Sequence, residues 1–160
     1  MSKLSNRRAV DPRHMESPQS HARQLPRESH TNKPFQSPRR QVLVIDDEPL
    51  LRQLINDYLH PLGYSVLQAS NGEDGLQLAN RHPIHVIILD INLGDMTGFD
   101  VVNILKSRAH TRNIPVIAFT GLAQDQERRA ILAAGCNHYV RKPIHLSKLA
   151  AIVSRAASKR

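Results

Sequence analysis

Short β-branched apolar runs alternate along this chain with longer stretches in which apolar residues recur every three or four positions. Val42 to Ile45, Ser65 to Ala69, Val86 to Leu89, Val116 to Phe119 and Tyr139 to Val140 form the first kind. Short apolar runs bounded by turn residues predict strands, and those that are nearly continuous predict burial on both faces, as in a parallel sheet. Between the first two runs, Leu50, Leu51, Leu54, Ile55, Tyr58, Leu59 and Leu62 follow helical spacing as far as Gly63, which marks the helix end. Asn71-Gly72 predicts a turn ahead of a helix from Glu73 to about Arg81 that carries Leu76, Leu78 and Ala79. A loop with Gly94 and Gly98 leads into a helix bearing Val101, Val102, Ile104 and Leu105, and Pro115 opens the fourth strand. A helix from about Gln124 to Ala134 stops at Gly135, the fifth strand ends at Lys142, and Leu146 to about Ala157 forms the last helix. Five strands alternating with five helices predict an α/β fold, a doubly wound five-stranded parallel sheet with helices on both faces.

Ligands in such sheets bind outside the carboxyl ends of the strands. Four of the apolar runs end there in polar chemistry: the first in Asp46-Asp47, the third in Asp90, the fourth in Thr120 and the fifth in Lys142. Three carboxylates, a hydroxyl and an ammonium gathered on one edge suit a divalent cation and a phosphate-like group. No glycine-rich phosphate loop follows the first strand, where Asp46-Asp47-Glu48-Pro49 would repel a phosphate unless a metal came first. Mg²⁺ fits these oxygen donors best, because it is a hard ion that takes one or two carboxylates together with phosphate oxygens and water. A single Asp at a strand-to-helix turn more often caps the helix than binds a metal. The adjacent pair together with Asp90, Thr120 and Lys142 outweighs that simpler reading. Asp95 and Asp100 read as surface or cap residues, since neither ends an apolar strand.

Charge changes the picture only after it is divided along the chain. The 160 residues carry a formal charge of +8, a value that suggests nucleic acid as a partner. Residues 1–40, however, hold 9 Lys/Arg against 3 Asp/Glu, which leaves the rest nearly balanced. That segment also holds five of the ten prolines and few large apolar side chains, so it reads as a disordered basic tail, with a domain over 41–160. An inert extension, a basic arm for nucleic acid, an acidic partner or a membrane surface, and a misassigned start with Met15 as the true initiator all fit the tail; a transit peptide fits less well, because the prolines interrupt an amphipathic helix. Cys136 is the only cysteine, which excludes an intramolecular disulfide and a cysteine-built zinc site and suits a reducing, cytoplasmic setting. As a thiol just after a helix it reads as a packed core residue. The nine histidines lie at scattered positions without paired ligand spacing. No run reaches the roughly 20 apolar residues of a membrane span.

Residues 41–158 resemble a receiver domain of the two-component response-regulator family. The resemblance rests on Val44-Ile45-Asp46-Asp47-Glu48, Leu89-Asp90, Met96-Thr97-Gly98, Phe119-Thr120-Gly121, Ala134-Gly135 and Tyr139-Val140-Arg141-Lys142-Pro143, in that order and at compatible spacings. It implies the flavodoxin-like strand order 2-1-3-4-5. It further implies that Asp90 accepts a phosphoryl group from a sensor histidine kinase or a histidine phosphotransfer protein. On the same ground Asp47 and Asp90 would ligate Mg²⁺ directly, Asp46 mostly through water, and Asn92 through its main-chain carbonyl. Lys142 would hold Asp90 and then a phosphoryl oxygen, Thr120 would donate its hydroxyl, and Tyr139 would be the switch aromatic. Pro143 corresponds to a cis proline of the family.

The resemblance thus implies a phosphoacceptor signalling domain rather than an enzyme, acting on a downstream protein target, as a monomer or weak dimer. Kinase choice is expected to be read by Arg52, Asn56 and Asp57 with Ile144 and His145. The chain stops soon after its fifth helix, so output is expected through partners. Two alternatives stay open: a nucleic-acid-binding regulator that uses the tail, and a receiver fragment of a larger hybrid kinase. An Asp-dependent phosphatase is disfavoured by Asn92, which stands where a second acid would be needed. Departures from the family include Asn92-Leu93-Gly94-Asp95 where many members have Met-Pro, Cys136-Asn137-His138 where dimerising members carry acids, and apolar Leu122, which offers nothing to position a hydrolytic water.

Overall fold

The computed structural model describes residues 39–121 and 125–158. The expected tail up to Pro38 and the position of Leu122 lie outside the described residues. Ten elements alternate along the chain: β1 (Arg40–Ile45), α1 (Pro49–Leu59), β2 (Tyr64–Ala69), α2 (Gly72–Arg81), β3 (Ile84–Leu89), α3 (Gly98–Ser107), β4 (Val116–Thr120), α4 (Asp125–Ala133), β5 (His138–Arg141) and α5 (Leu146–Ala157). The strands pair in parallel in the order β2-β1-β3-β4-β5, as expected.

Alternation within each strand builds two cores, because successive side chains point to opposite faces of a sheet. Leu43, Ile45, Ile87 and Leu89 pack on one face with Leu76 of α2, Val101 and Leu105 of α3, and Ile131 of α4. Val42, Val44, Val86 and Ile88 pack on the other with Ile55 and Leu59 of α1 and Leu149 and Val153 of α5. The central strands are therefore apolar on both faces from Val42 to Ile45 and from Val86 to Leu89, and each fully buried Val, Leu or Ile contributes roughly 1.5–3 kcal/mol.

Several boundaries differ from the pattern reading, three of them with a structural reason. β1 starts at Arg40, inside the segment assigned to the tail. α1 ends at Leu59, and a turn carries the chain to Gly63, whose φ of 91° suits a residue without a Cβ. β5 ends at Arg141, one residue early, although the amide of Lys142 still donates to the carbonyl of Thr120 at 2.9 Å.

The apolar stripe of α1 is wider than the surface it covers. Ile55 and Leu59 are buried, whereas Leu50 is 78% exposed and Leu54 51%, and Leu62 in the turn beyond the helix is 55% exposed.

Candidate functional site

Register brings the acids together. Ile45 pairs with Ala69 on one side and with Leu89 on the other, so Asp46 and Asp90 both lie one residue past the last paired position of adjacent strands. The amide of Asp46 donates to Ala69 at 3.1 Å and that of Asp90 to Ile45 at 2.8 Å, which carries the ladder one step beyond the strands. Asp46 is 1% exposed and Asp90 7%, while Asp47 is exposed. Carboxylate oxygens of all three lie within 4.8 Å of one another.

Lys142 answers this charge from the far side of the sheet. Its Nζ sits 2.7 Å from Oδ2 of Asp46 and 2.7 Å from Oδ2 of Asp90, and 5.2 Å from the centre of the Phe119 ring. Burial alone would lower the lysine pKa, but hydrogen bonds from the ammonium to Asp46 and Asp90 outweigh it and hold the pKa above the ordinary value. One ammonium among three carboxylates leaves a formal charge of about −2, which matches a divalent cation. The donor set therefore fits Mg²⁺, all hard oxygens with an open, exposed member in Asp47.

Neighbouring amides orient the acids. Oδ1 of Asp46 accepts from the amide of Glu48 at 2.9 Å, and Oδ1 of Asp90 accepts from that of Asn92 at 3.0 Å. Asp46 thus does not cap α1: the N-cap is Glu48, without a side-chain cap bond, and Pro49 opens the helix. Since each carboxylate oxygen can accept about twice, both acids keep capacity for a ligand.

Thr120 is fully buried at the end of β4. Asn92 is exposed and bridges Thr97 across the loop after β3. Tyr139 is half-buried, pairs with Ala118 and packs on the core face shared with α2, α3 and α4. The Lys142–Pro143 peptide is cis. Asp100 forms a capping box with Thr97 at the start of α3, as its cap reading anticipated.

Two supporting residues were not assigned these roles from sequence. Arg52, read as a contact for a kinase, donates its guanidinium to the carbonyl of Asp46 at 2.5 Å, which neutral spacing on a helix does not announce. Asp95 accepts from the first amides of α2, some twenty residues earlier in the chain. No described helix is long and apolar enough to cross a membrane.

Comparison with known proteins agrees with this geometry. Residues 42–154 match the response regulator receiver domain family. The polar-differentiation response regulator DivK of Brucella anthropi is 34% identical over 107 residues, 67% of this chain and 87% of that protein. The chemotaxis response regulator CheY4 of Vibrio cholerae superposes with a TM-score of 0.70 at 27% identity, covering 74% of this chain and 98% of that one. The receiver domain of a sensor histidine kinase from Pseudomonas aeruginosa, whose structure has a magnesium ion coordinated in its active site cleft, gives 0.69 at 28% identity, covering 74% and 98%.

Proposed function

Because the chain belongs to the response regulator receiver domain family and is a phosphoacceptor that signals through protein contacts, we propose that Asp90 is its acceptor. The phosphoryl group comes from a phosphohistidine of a sensor kinase or phosphotransfer protein. The donor imidazole is protonated on its other ring nitrogen; its P–N bond breaks, a P–O bond to a carboxylate oxygen of Asp90 forms, and the imidazole, keeping that proton, leaves as the neutral base. No general base is needed, because Asp90 attacks through a carboxylate oxygen that Lys142 already holds as an ion pair.

The single observation that carries this reading is the bridge of Lys142 between Asp46 and Asp90 beside a third carboxylate. Phosphoryl transfer asks for alignment and neutralised charge more than for bond-making groups. Asp47 and Asp90, with Asp46 and the main-chain carbonyl of Asn92, are the residues that would hold Mg²⁺; the ion when bound supplies positive charge to the phosphoryl oxygens. Lys142 is already poised on Asp90 and would follow a phosphoryl oxygen after transfer. Thr120 would donate its hydroxyl to another, and Tyr139, two strand residues before Arg141, would register that movement on the α4–β5–α5 face. A group that binds one of two conformations better shifts their populations, which is the signal.

The receiver body begins by Arg40, where β1 starts, and operates in the cytoplasm as a monomer or weak dimer, with a downstream protein as its target. The donor meets α1 and the segment after Lys142, where Arg52, Asn56, Asp57, Ile144 and His145 stand, with the uncovered Leu50 and Leu54 also on α1. Incubation with Mg²⁺ and acetyl phosphate or phosphoramidate, followed by intact mass measurement, tests the proposal. A gain of one phosphoryl group that Asp90→Asn abolishes is expected; an unchanged gain in Asp90→Asn would refute the assignment.

A further inference from the structure

The loop that follows Asp90 is fixed at its base and held at its tip by another element. At the base, the amide of Gly98 donates to Ile91 at 2.8 Å, and Asn92 pairs with Thr97. A Cβ at Gly98 would lie 2.6 Å from the Cα of Ile91 and 2.7 Å from the carbonyl oxygen of Asp90, so this approach requires glycine. At the tip, Gly94 has nothing within 4 Å of where its Cβ would be, and Gly94 and Asp95 are both exposed.

The tip is nevertheless tethered. The amide of Gly72 donates to both carboxylate oxygens of Asp95, at 3.0 Å each, and that of Glu73 donates to Oδ2 at 3.2 Å. Gly72 and Glu73 are the first two residues of α2, whose leading amides have no partner inside the helix. Asn71, the cap of α2 itself, takes the third, from Asp74, through its side chain, and accepts the amide of Gly75 on its carbonyl. The leading amides of Gly72, Glu73 and Asp74 are thereby satisfied, two of them by a residue of the loop. Met96 completes the joint, because its Cγ and Sδ stand 2.4 Å from the place a Cβ on Gly72 would occupy. The bond from Gly72, foremost, holds the carboxyl of Asp95 below its ordinary pKa, so it is ionised at neutral pH and complements the helix N-terminus.

We propose that Asp95 is a positioning residue for the acceptor site: by anchoring the loop tip to α2, it fixes Asn92 and with it the main-chain carbonyl offered to the metal. This inference rests on the reading of Asp46, Asp47, Asp90 and Asn92 as the Mg²⁺ site. A partner that orients a ligand changes metal affinity without touching the metal.

The test uses the full chain, Mg²⁺ alone in calorimetric titration, and the phosphoramidate reaction followed by intact mass as a function of Mg²⁺ concentration. Asp95→Ala is expected to weaken Mg²⁺ binding by about tenfold, to slow the reaction at limiting Mg²⁺, and to reach the wild-type rate at saturating Mg²⁺. Asp95→Asn keeps an acceptor oxygen and removes the charge, and is expected to bind Mg²⁺ close to wild type. Asn71→Ala removes the other cap of α2 and is expected to lower the melting temperature while leaving Mg²⁺ affinity intact. Wild-type affinity in Asp95→Ala overturns the proposal. So does equal weakening in Asp95→Asn, which would make the effect one of charge, or in Asn71→Ala, which would make it a general loosening of α2. A wild-type protein that neither binds Mg²⁺ nor gains a phosphoryl group would instead sink the acceptor-site reading on which the inference stands.

Discussion

Lys142 sets one positive charge 2.7 Å from each of two buried carboxylates, with a fifth of its own side chain exposed. Removing one partner of such a pair leaves the others desolvated and unpaired, so Lys142→Ala should cost roughly 3 kcal/mol in chemical denaturation. Added Mg²⁺ should recover more stability in that variant than in the wild type, since it binds only the folded site. The lysine pKa is raised on folding, so its contribution is complete below the ordinary value of 10.5 and disappears as pH rises through the higher folded value. Cys136 behaves differently, for burial pushes its thiol up to about 11, with Lys106 opposing in part. At about pH 8 a disulfide reagent should therefore label the folded protein far more slowly than urea-unfolded chains, whose thiol has the ordinary value of 9.0. The packed-residue reading of this cysteine from sequence agrees with its burial.

Helix α2 lies so close to β1 that propensity and packing give opposite signs at one position. Alanine is favoured over glycine inside a helix by about 1 kcal/mol. A Cβ at Gly75, however, would stand 2.5 Å, 2.8 Å and 3.1 Å from three atoms of the Ile45 side chain, which is fully buried. Turning one of those atoms away brings another in, and overpacking of this kind costs roughly 1–3 kcal/mol. Gly75→Ala should thus lower the melting temperature, by an amount corresponding to about 1 kcal/mol net. Element identity was legible because apolar runs and helical spacing are local signals, while ends such as Arg40 and Arg141 depend on pairing partners. The four strand-end groups were legible for a related reason: parallel topology carries every strand's carboxyl end to the same edge. Asp95 was legible as a surface or cap residue, but the helix it caps was not, because its partners are set by the placement of α2 rather than by any spacing near it. The width of the apolar stripe on α1 misled in the opposite direction, since periodicity reports how much surface is apolar and not how much the sheet can cover.

Across the whole molecule, the uncovered Leu54 of α1 borders an apolar groove that runs past Leu51 and Ile144 to Lys142, and the more exposed Leu50 stands on the same helix. Replacing Leu50 and Leu54 by Glu should leave the melting temperature near that of the wild type, because 78% and 51% of these residues face solvent. Transfer from a phosphohistidine protein should slow by about tenfold if these are its contact anchors, while the acetyl phosphate reaction proceeds unchanged. The sheet itself has a seam. β4 pairs with β3 only through Ala118, yet with β5 it continues through Phe119 and Thr120, and Lys142 donates onward to Thr120. Asp46 and Asp90, by contrast, are tied through β1 to one another and to β2. The acids thus stand on one paired set of strand ends and Thr120 and Lys142 on the next, and the ammonium's bonds to Asp46 and Asp90 stitch the two sets together where the backbone ladder between them has run out.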